Sequence, residues 1–483
     1  MKHNRIITLL LTVALLISAV CTPIIATADT EENSLVRNVV YIYNMSAQDI
    51  ANIDVEGLKL THINYAFVYV AESAFGDLGY ITTNKGQFDL FNDHYYMGYD
   101  AKAKLQALTA LKDKYPWLSI CVSIGGGDME QKAAFAKLAT DEAAMERFAQ
   151  NVRQLLVDYN LNGVDLDWEV PETRKEMKAY IQMAQILREQ LGPDAVITAA
   201  VPCDTVFTEL FTKKMAQDFD AALSFWNVMT YDLGNVGNYD YIAPMDFIIE
   251  EGETYADHVK LGWGSVRDGI KNLADIGVPY ENMVLGLAYF GLINTNIVPE
   301  NTEIPHGERV NGESSKPYYE DIAPYLQDPT WTRHWNEIAK CPYLIQTNSE
   351  GKITGYITYD DAEAIAVKMN FAKEMGLSGA MCWTLNGDDA DYTLAKATAS
   401  HISDNALTQT AGKISADAPV KDPEPTATPE PQATDAPTQA PDNQPSQTDP
   451  AKKPNTIAII LGVCGIVVVA AGVVVFVVMK KKK

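Results

Sequence analysis

Three carboxylic acids stand two residues apart in the stretch Asn162-Gly163-Val164-Asp165-Leu166-Asp167-Trp168-Glu169. On a strand, successive side chains point to opposite faces. Asp165, Asp167 and Glu169 would then share one face, and Val164, Leu166 and Trp168 the other. Acids aligned on a solvated face repel one another, and Asp is depleted in strands. Packed together in a cleft, such a row cannot ionise fully at low cost, so at least one pKa rises. A carboxyl group titrating near neutrality is what a general acid needs. The row therefore points to an active site. A decorated surface strand would alternate in the same way, and spacing by itself leaves both readings open.

The acids must be held by something. Between about residues 35 and 405 the chain reads as strand then helix, repeated. Apolar strand candidates fall at 38–43, 61–70, 118–124, 163–168, 195–201, 224–230, 283–290 and 379–384. Helical patterns lie between them, among them Ala133–Asp158, Thr173–Leu191 and Ala362–Met375. Eight strands alternating with helices predict an α/β fold, a parallel (β/α)8 TIM barrel. A doubly wound sheet is the competing arrangement, but no glycine-rich nucleotide loop follows the first strand. In such barrels the chemistry sits at the C-terminal strand ends. The acid strand ends at Glu169, at that face. One interval is too long: residues 293–356 read as an inserted α+β subdomain walling one side of the cleft. Its Tyr318, Tyr319, Trp331, Trp335 and Tyr343 could stack on sugars or form the subdomain's own core.

Further strings sit at other strand ends. They are Thr61-His62-Ile63-Asn64-Tyr65-Ala66-Phe67, Ser123-Ile124-Gly125-Gly126, Met229-Thr230-Tyr231-Asp232 and Gly379-Ala380-Met381-Cys382-Trp383. Together with the acid row they resemble the motifs of glycoside hydrolase family 18, the chitinases and their relatives. The likeness runs from about 37 to 402. The insertion before the last strand is similar to that family's chitinase-type insertion.

The resemblance implies roles. Glu169 would be the acid that protonates the glycosidic oxygen. The substrate's own 2-acetamido oxygen would be the nucleophile, a substrate-assisted route to net retention. Asp167 would hold the acetamido nitrogen, and Asp165 would sit behind it and share a proton with it. Tyr231 would donate to the acetamido oxygen. Asp232 would contact the sugar at the cleavage point, and Trp383 would floor it. Ser123 and Phe67 complete the expected substrate-binding set, and Ser123 would also hydrogen-bond Asp165. The implied substrate is chitin or another β-1,4-linked N-acetylglucosamine polymer. Peptidoglycan strands, N-glycan cores and a non-catalytic sugar-binding surface protein are the alternatives. The chain departs from the family in places. Asn162 replaces the first Asp of the signature, where a structural consequence is expected. Gly127 stands where many members carry Trp. Phe290 and Leu292 replace a Tyr and an Arg, removing a hydroxyl and a guanidinium. Val170 replaces a Tyr.

Composition sets the outer limits. The 483 residues carry a net charge of −25 and are 47% hydrophobic. Such a balance excludes nucleic acid and anionic membrane surfaces as natural partners. Seven histidines show no metal-ligand spacing, so neither a metal nor an organic cofactor is expected. Cys121, Cys203, Cys341 and Cys382 lie in or beside apolar runs and read as buried free thiols. Residues 1–28 read as a signal peptide: Lys2 and Arg5, the apolar run Ile6–Val20, then Ala26-Thr27-Ala28. A lipoprotein signal at Cys21 ranks second, because Val20 fits poorly before a lipidated cysteine. Residues 413–455 read as a Pro/Thr-rich stalk, reaching roughly 130 Å at about 3.1 Å per residue. Residues 456–479 are apolar and long enough to span a bilayer, and 480–483 are lysines. The expected location is the cell surface, with one C-terminal membrane helix, an extracellular catalytic domain and a cytoplasmic tail.

Overall fold

The computed structural model describes residues 34–73, 76–84, 95–247 and 264–415. The expected signal peptide, nearly all of the 413–455 tract, the apolar 456–479 segment and the 480–483 tail lie outside them. Among the described residues no helix is long and apolar enough to cross a membrane.

Fifteen strands are described. They are β1 (Arg37–Tyr43), β2 (His62–Glu72), β3 (Leu78–Thr82), β4 (Tyr95–Tyr96), β5 (Ser119–Gly125), β6 (Gly163–Asp167), β7 (Val196–Pro202), β8 (Phe225–Met229), β9 (Met283–Ala288), β10 (Leu292–Thr295), β11 (Glu313–Ser315), β12 (Trp331–Asn336), β13 (Cys341–Thr347), β14 (Ile353–Thr358) and β15 (Gly379–Trp383). Strands β1, β2, β5, β6, β7, β8, β9 and β15 pair in parallel. The pairing of β1 with β2 closes the ring. This is the expected eight-stranded barrel with helices between its strands. Outside it, β3 runs antiparallel to β2 and continues to β4, an extension the apolar pattern did not announce. A second, antiparallel sheet of five strands, ordered β11-β10-β14-β13-β12, occupies the interval between β9 and the helix Ala362–Met375.

The period-two pattern of the acid strand is realised in full. Its hydrophobes face the helical layer. Trp168 stacks on Phe135 at 5.4 Å and meets Tyr180 edge-on at 5.4 Å. The Tyr180 hydroxyl donates to the Leu166 carbonyl at 3.0 Å. A side chain this large, fully buried, adds about 1.5–3 kcal/mol or more to the seat of the strand. The helix after β6, Arg174–Leu191, starts on a capping box between Thr173 and Glu176. The pattern expected as one helix over Ala133–Asp158 is two, Met129–Leu138 and Glu142–Asp158. The break has a local cause. Thr140 Oγ1 donates to the Lys137 carbonyl, and Asp141 caps the second helix by accepting from Ala144 N. Thr and Asp side chains that bond their own backbone compete with a continuous helix.

The four described cysteines are free and buried. Among the described residues no cluster could hold a metal. The end of the described chain folds back under the barrel. Gly412 N donates to Ser119 Oγ at 3.0 Å, and Ser415 N donates to the Leu191 carbonyl at 2.9 Å. Asn162 closes this contact. Its Oδ1 accepts from Ile120 N at 2.8 Å and its Nδ2 donates to the Gly412 carbonyl at 2.5 Å. An aspartate could keep the first bond but would turn an acceptor toward a carbonyl oxygen in the second. Asn162→Asp is therefore expected to cost about 1–3 kcal/mol, the penalty of an opposed buried acceptor. Chemical denaturation at neutral pH checks this, and a midpoint equal to the parent's would rule out a stabilising tie.

Candidate active site

The barrel axis holds a carboxylate served from four strands. Asp165 Oδ2 accepts from Tyr41 OH on β1 and from Ser123 Oγ on β5, each at 2.8 Å. Its Oδ1 accepts from Thr198 Oγ1 on β7 at 2.5 Å and from Asn227 Nδ2 on β8 at 2.9 Å. Register explains the set: Asp165 lies opposite Ser123 on one side and Thr198 on the other. Burial raises the Asp165 pKa, and the four donors oppose that rise.

Two residues on, Asp167 has different company. It hydrogen-bonds Glu169, and its Oδ1 is buried without a protein partner. Burial first, then the charges of Glu169 and Asp165, push its pKa well above the ordinary carboxyl value. Glu169 is also raised, by burial and then by Asp232, while Lys316 and the Asp167 bond act the other way. Both carboxyls thus hold a proton more tightly than free carboxyls do, Asp167 the more strongly shifted of the two. The proton moves within a coupled pair rather than titrating from one residue. Asp165 acts on Asp167 through its charge, which adds to the rise in the Asp167 pKa. Four donors already occupy the Asp165 oxygens, so Asp167 turns to Glu169 instead.

The pair opens into a cavity of about 410 Å³ lined by, among others, Tyr41, Phe67, Tyr231, Phe290, Tyr318 and Trp383. Trp383 ends β15 and is wedged by neighbours. Phe67 stacks on it at 5.4 Å, and Tyr41 and Tyr43 each lie at 5.7 Å. The result is a rigid flat wall beside the acids. Tyr231 OH has only a weak contact, 3.8 Å to Met381 Sδ. Burial and the nearby carboxylates raise its pKa well above normal, so it stays a donor. A larger cavity of about 700 Å³ adjoins and shares Glu169, Met229, Tyr231 and Asp232 with the first. Glu169 therefore stands where two halves of a cleft meet.

Glycines at the end of β5 allow this approach. Gly125 and Gly126 have φ of 125° and 100°. A Cβ on Gly125 would lie 2.0 Å from the Asp167 carbonyl oxygen, and one on Gly126 would lie 2.8 Å from the Phe67 ring. At Gly127 a Cβ would come within 3.1 Å of Glu169 Oε2. Its lack of a side chain thus leaves space beside the acid, as well as removing a stacking surface.

Of the residues expected from sequence, Asp167, Glu169, Tyr231, Asp232, Phe67 and Trp383 line the cavity together. Asp165 lies behind them. Ser123 does not belong with the sugar contacts: it is fully buried, and its hydroxyl goes to Asp165. Of the five aromatics singled out in the insertion, Tyr318 alone lines the cavity. Trp331 is buried against Tyr325, and Tyr343 packs on Tyr356 and His334. Phe290 lines the cavity, whereas Leu292 is buried outside it. Tyr41, Thr198, Asn227 and Lys316 were missed. The first three are polar groups within apolar strands, a signal that could have been read. Lys316 had no such signal.

A hydrogen-bonded carboxyl pair with raised pKa beside a flat aromatic wall, at the C-terminal mouth of a parallel barrel, defines a class of protein: a barrel glycoside hydrolase. Sequence comparison gives the family. The profile of the glycosyl hydrolases family 18 matches residues 37–388, and the chain belongs to that family. It is 29% identical over 314 residues to Chitinase A1 of Niallia circulans, covering 59% of this chain and 42% of that protein. It is 27% identical over 377 residues to Endochitinase of Manduca sexta, covering 72% and 62%. The chain thus spans less than two thirds of either relative. Among solved structures, it is similar to a family 18 N-acetylglucosaminidase from Paenibacillus barengoltzii, with a TM-score of 0.59 at 24% identity, covering 76% of this chain and 99% of that one. The Group IV chitinase of Ostrinia furnacalis gives 0.63 at 20%, covering 76% and 99%. At these identities the structural likeness speaks for the fold.

The raised carboxyl pKa values make a stability prediction. A carboxyl whose folded pKa lies above its unfolded one favours folding through its protonated form, and that contribution is lost as pH rises through the folded pKa. Asp167→Asn removes the dependence and can still donate to Glu169. It is expected to raise Tm at neutral pH and to have little effect near pH 3.8, the ordinary carboxyl value. Thermal melts at the two pH values check this. An equal gain at both would tie the effect to packing and not to the proton.

Proposed function

We propose that this chain hydrolyses β-1,4-linked N-acetylglucosamine polymers, chitin or its oligosaccharides, by a substrate-assisted retaining route. The observation that carries the proposal is the buried, unpartnered Asp167 Oδ1 beside the cavity, next to the proton it shares with Glu169. An acetamido N–H supplies the missing donor. Tyr231 OH, on the same cavity, then holds the acetamido oxygen toward the anomeric carbon. The Trp383 wall takes the apolar sugar face.

In this reading Glu169 gives its proton to the glycosidic oxygen as the C1–O bond breaks. The acetamido oxygen bonds C1, forming an oxazolinium ion, and Asp167 stabilises the charge on nitrogen. Water then adds to C1 and yields its proton to the Glu169 carboxylate. The amide reforms with net retention. The carboxyl arrangement supports this route. Inverting enzymes separate their carboxyls by about 6.5–9.5 Å to admit a water, whereas Asp167 and Glu169 touch. Asp232, the other carboxylate of the cavity, is paired with Lys316.

The same proposal places the catalytic domain outside the cell. It rests on the apolar segments near the two ends of the sequence, with 456–479 as the membrane tether and 413–455 as the stalk.

The test follows chitooligosaccharide cleavage by the protein and its Glu169→Gln variant, with product anomers read by NMR. The expected result is retained configuration, with kcat reduced on the order of a hundredfold or more in the variant and binding preserved. Binding without cleavage in both proteins would favour a sugar-binding surface protein. Neither binding nor cleavage would move the substrate to peptidoglycan strands or N-glycan cores.

A further inference from the structure

Lys316 is the only cation among the described residues lining the 410 Å³ cavity, and it comes from outside the barrel. It follows β11 in the insertion. The next residues are tied to the end of β9: Gly291 N donates to the Pro317 carbonyl and Tyr319 N to the Tyr289 carbonyl, each at 3.0 Å. Phe290 and Tyr318 form a bridge between the same segments. With β11 on β10 before it, Lys316 is fixed from both sides. Its ammonium pairs with Asp232 and lies 5.0 Å above the Phe290 ring, which meets Tyr231 edge-on at 5.6 Å. Asp232 itself holds a left-handed backbone, with φ of 58°.

We propose that Lys316 is a positioning residue for the acid: by holding Asp232 from across the cleft, it sets the pH range over which Glu169 keeps its proton. This rests on reading Glu169 as the acid. The charged and titratable groups around Glu169 come from each element that meets it. Asp167 stands beside it on β6, Tyr231 and Asp232 follow β8, and Lys316 arrives from the insertion. Gly127, after β5, contributes no charge. On the side of the larger cavity Lys132 pairs with Glu172 at 2.6 Å, and Asp204 lies further along the wall. Asp232 and Lys316 therefore act on Glu169 with opposite sign. Both are partly exposed, at 47% and 39%. An ion pair so open to water adds little to stability. Its effect is on the field at the acid.

The signs are opposite and testable. Lys316→Met removes the positive charge that favours the Glu169 carboxylate, so the Glu169 pKa rises. The alkaline limb of kcat/KM against pH moves up by about half a unit or more in the full-length protein with chitooligosaccharides. Asp232→Asn moves that limb down. Lys316→Arg leaves it in place. An infrared titration of the Glu169 carboxyl band, assigned by its loss in Glu169→Gln, must show the same shifts without any substrate. That readout separates the two ideas: absence of cleavage in every protein defeats the proposed function, while the infrared shifts still decide the role of Lys316. A uniform drop in activity with the limb unmoved in Lys316→Met would overturn the inference. So would shifts of the same sign in Lys316→Met and Asp232→Asn, or a limb displaced as far by Lys316→Arg as by Lys316→Met.

Discussion

The site depends on one buried charge. Asp165 lies inside the barrel, fully shielded from water, where an unpaired carboxylate would be untenable. Tyr41, Ser123, Thr198 and Asn227 make it tenable, and they come from β1, β5, β7 and β8. Four strands must therefore stand in correct register before the charge can be buried. Slipping any one by a residue would turn its donor out of the barrel. Once fixed, Asp165 places a negative potential directly beneath Asp167. Burial first, then the neighbouring charges, make Asp167 hold a proton more tightly than a free carboxyl does. Fold and chemistry meet in this contact, because the hydrogen bonds that close the barrel interior also load its mouth with a mobile proton.

The walls answer a different demand. Under the proposed route an acetamido oxygen, a weak nucleophile, must be held in line, which calls for a stiff cavity. Stiffness here comes from ring contacts and from backbone that lacks side chains. Trp383 is held by three aromatic neighbours, and Phe67 fits only because Gly126 has no Cβ. Tyr231 is braced by Phe290. The side chain at 290 thus supports the site by packing, although it lacks a hydroxyl.

Much of this was legible in the sequence, for identifiable reasons. Eight apolar runs of strand length, separated by helical patterns, can close in few ways. The acid row declares its faces by a period of two. Legibility ended where a contact depends on register or on distance along the chain. Thr198 and Asn227 are each the one polar residue of an apolar strand, Tyr41 is one of several in β1, and only the folded barrel reveals that the three converge on Asp165. Ser123 was grouped with the substrate-binding residues, but the bond to Asp165 that the resemblance also implied is the contact its hydroxyl makes. The helical pattern from Ala133 to Asp158 ran on without interruption in hydrophobicity. The break at Thr140 and Asp141 is a matter of side-chain hydrogen bonds, which hydrophobic periodicity does not record. Asn162 was correctly read as structural, but its partner, the Gly412 carbonyl, lies 250 residues away.

The insertion shows how a site can be retuned without touching its core. Barrel residues that serve Asp165 are locked by register, and a change in any of them exposes a buried charge. The segment carrying Lys316 and Tyr318 rests on the barrel mouth through a few backbone bonds and is free of that constraint. An arginine is absent at position 292, and the side chain there lies outside the cavity. The cation instead comes from Lys316, just past β11, the strand paired with the β10 strand that begins at Leu292. Because the Lys316–Asp232 pair is half open to solvent, its worth to folding is small. Its position beside a proton-carrying pair gives it leverage of another kind. A positive charge that favours the Glu169 carboxylate bears on how the two hydrogen-bonded carboxyls share a proton, and under the proposed function that decides whether Glu169 can act as an acid.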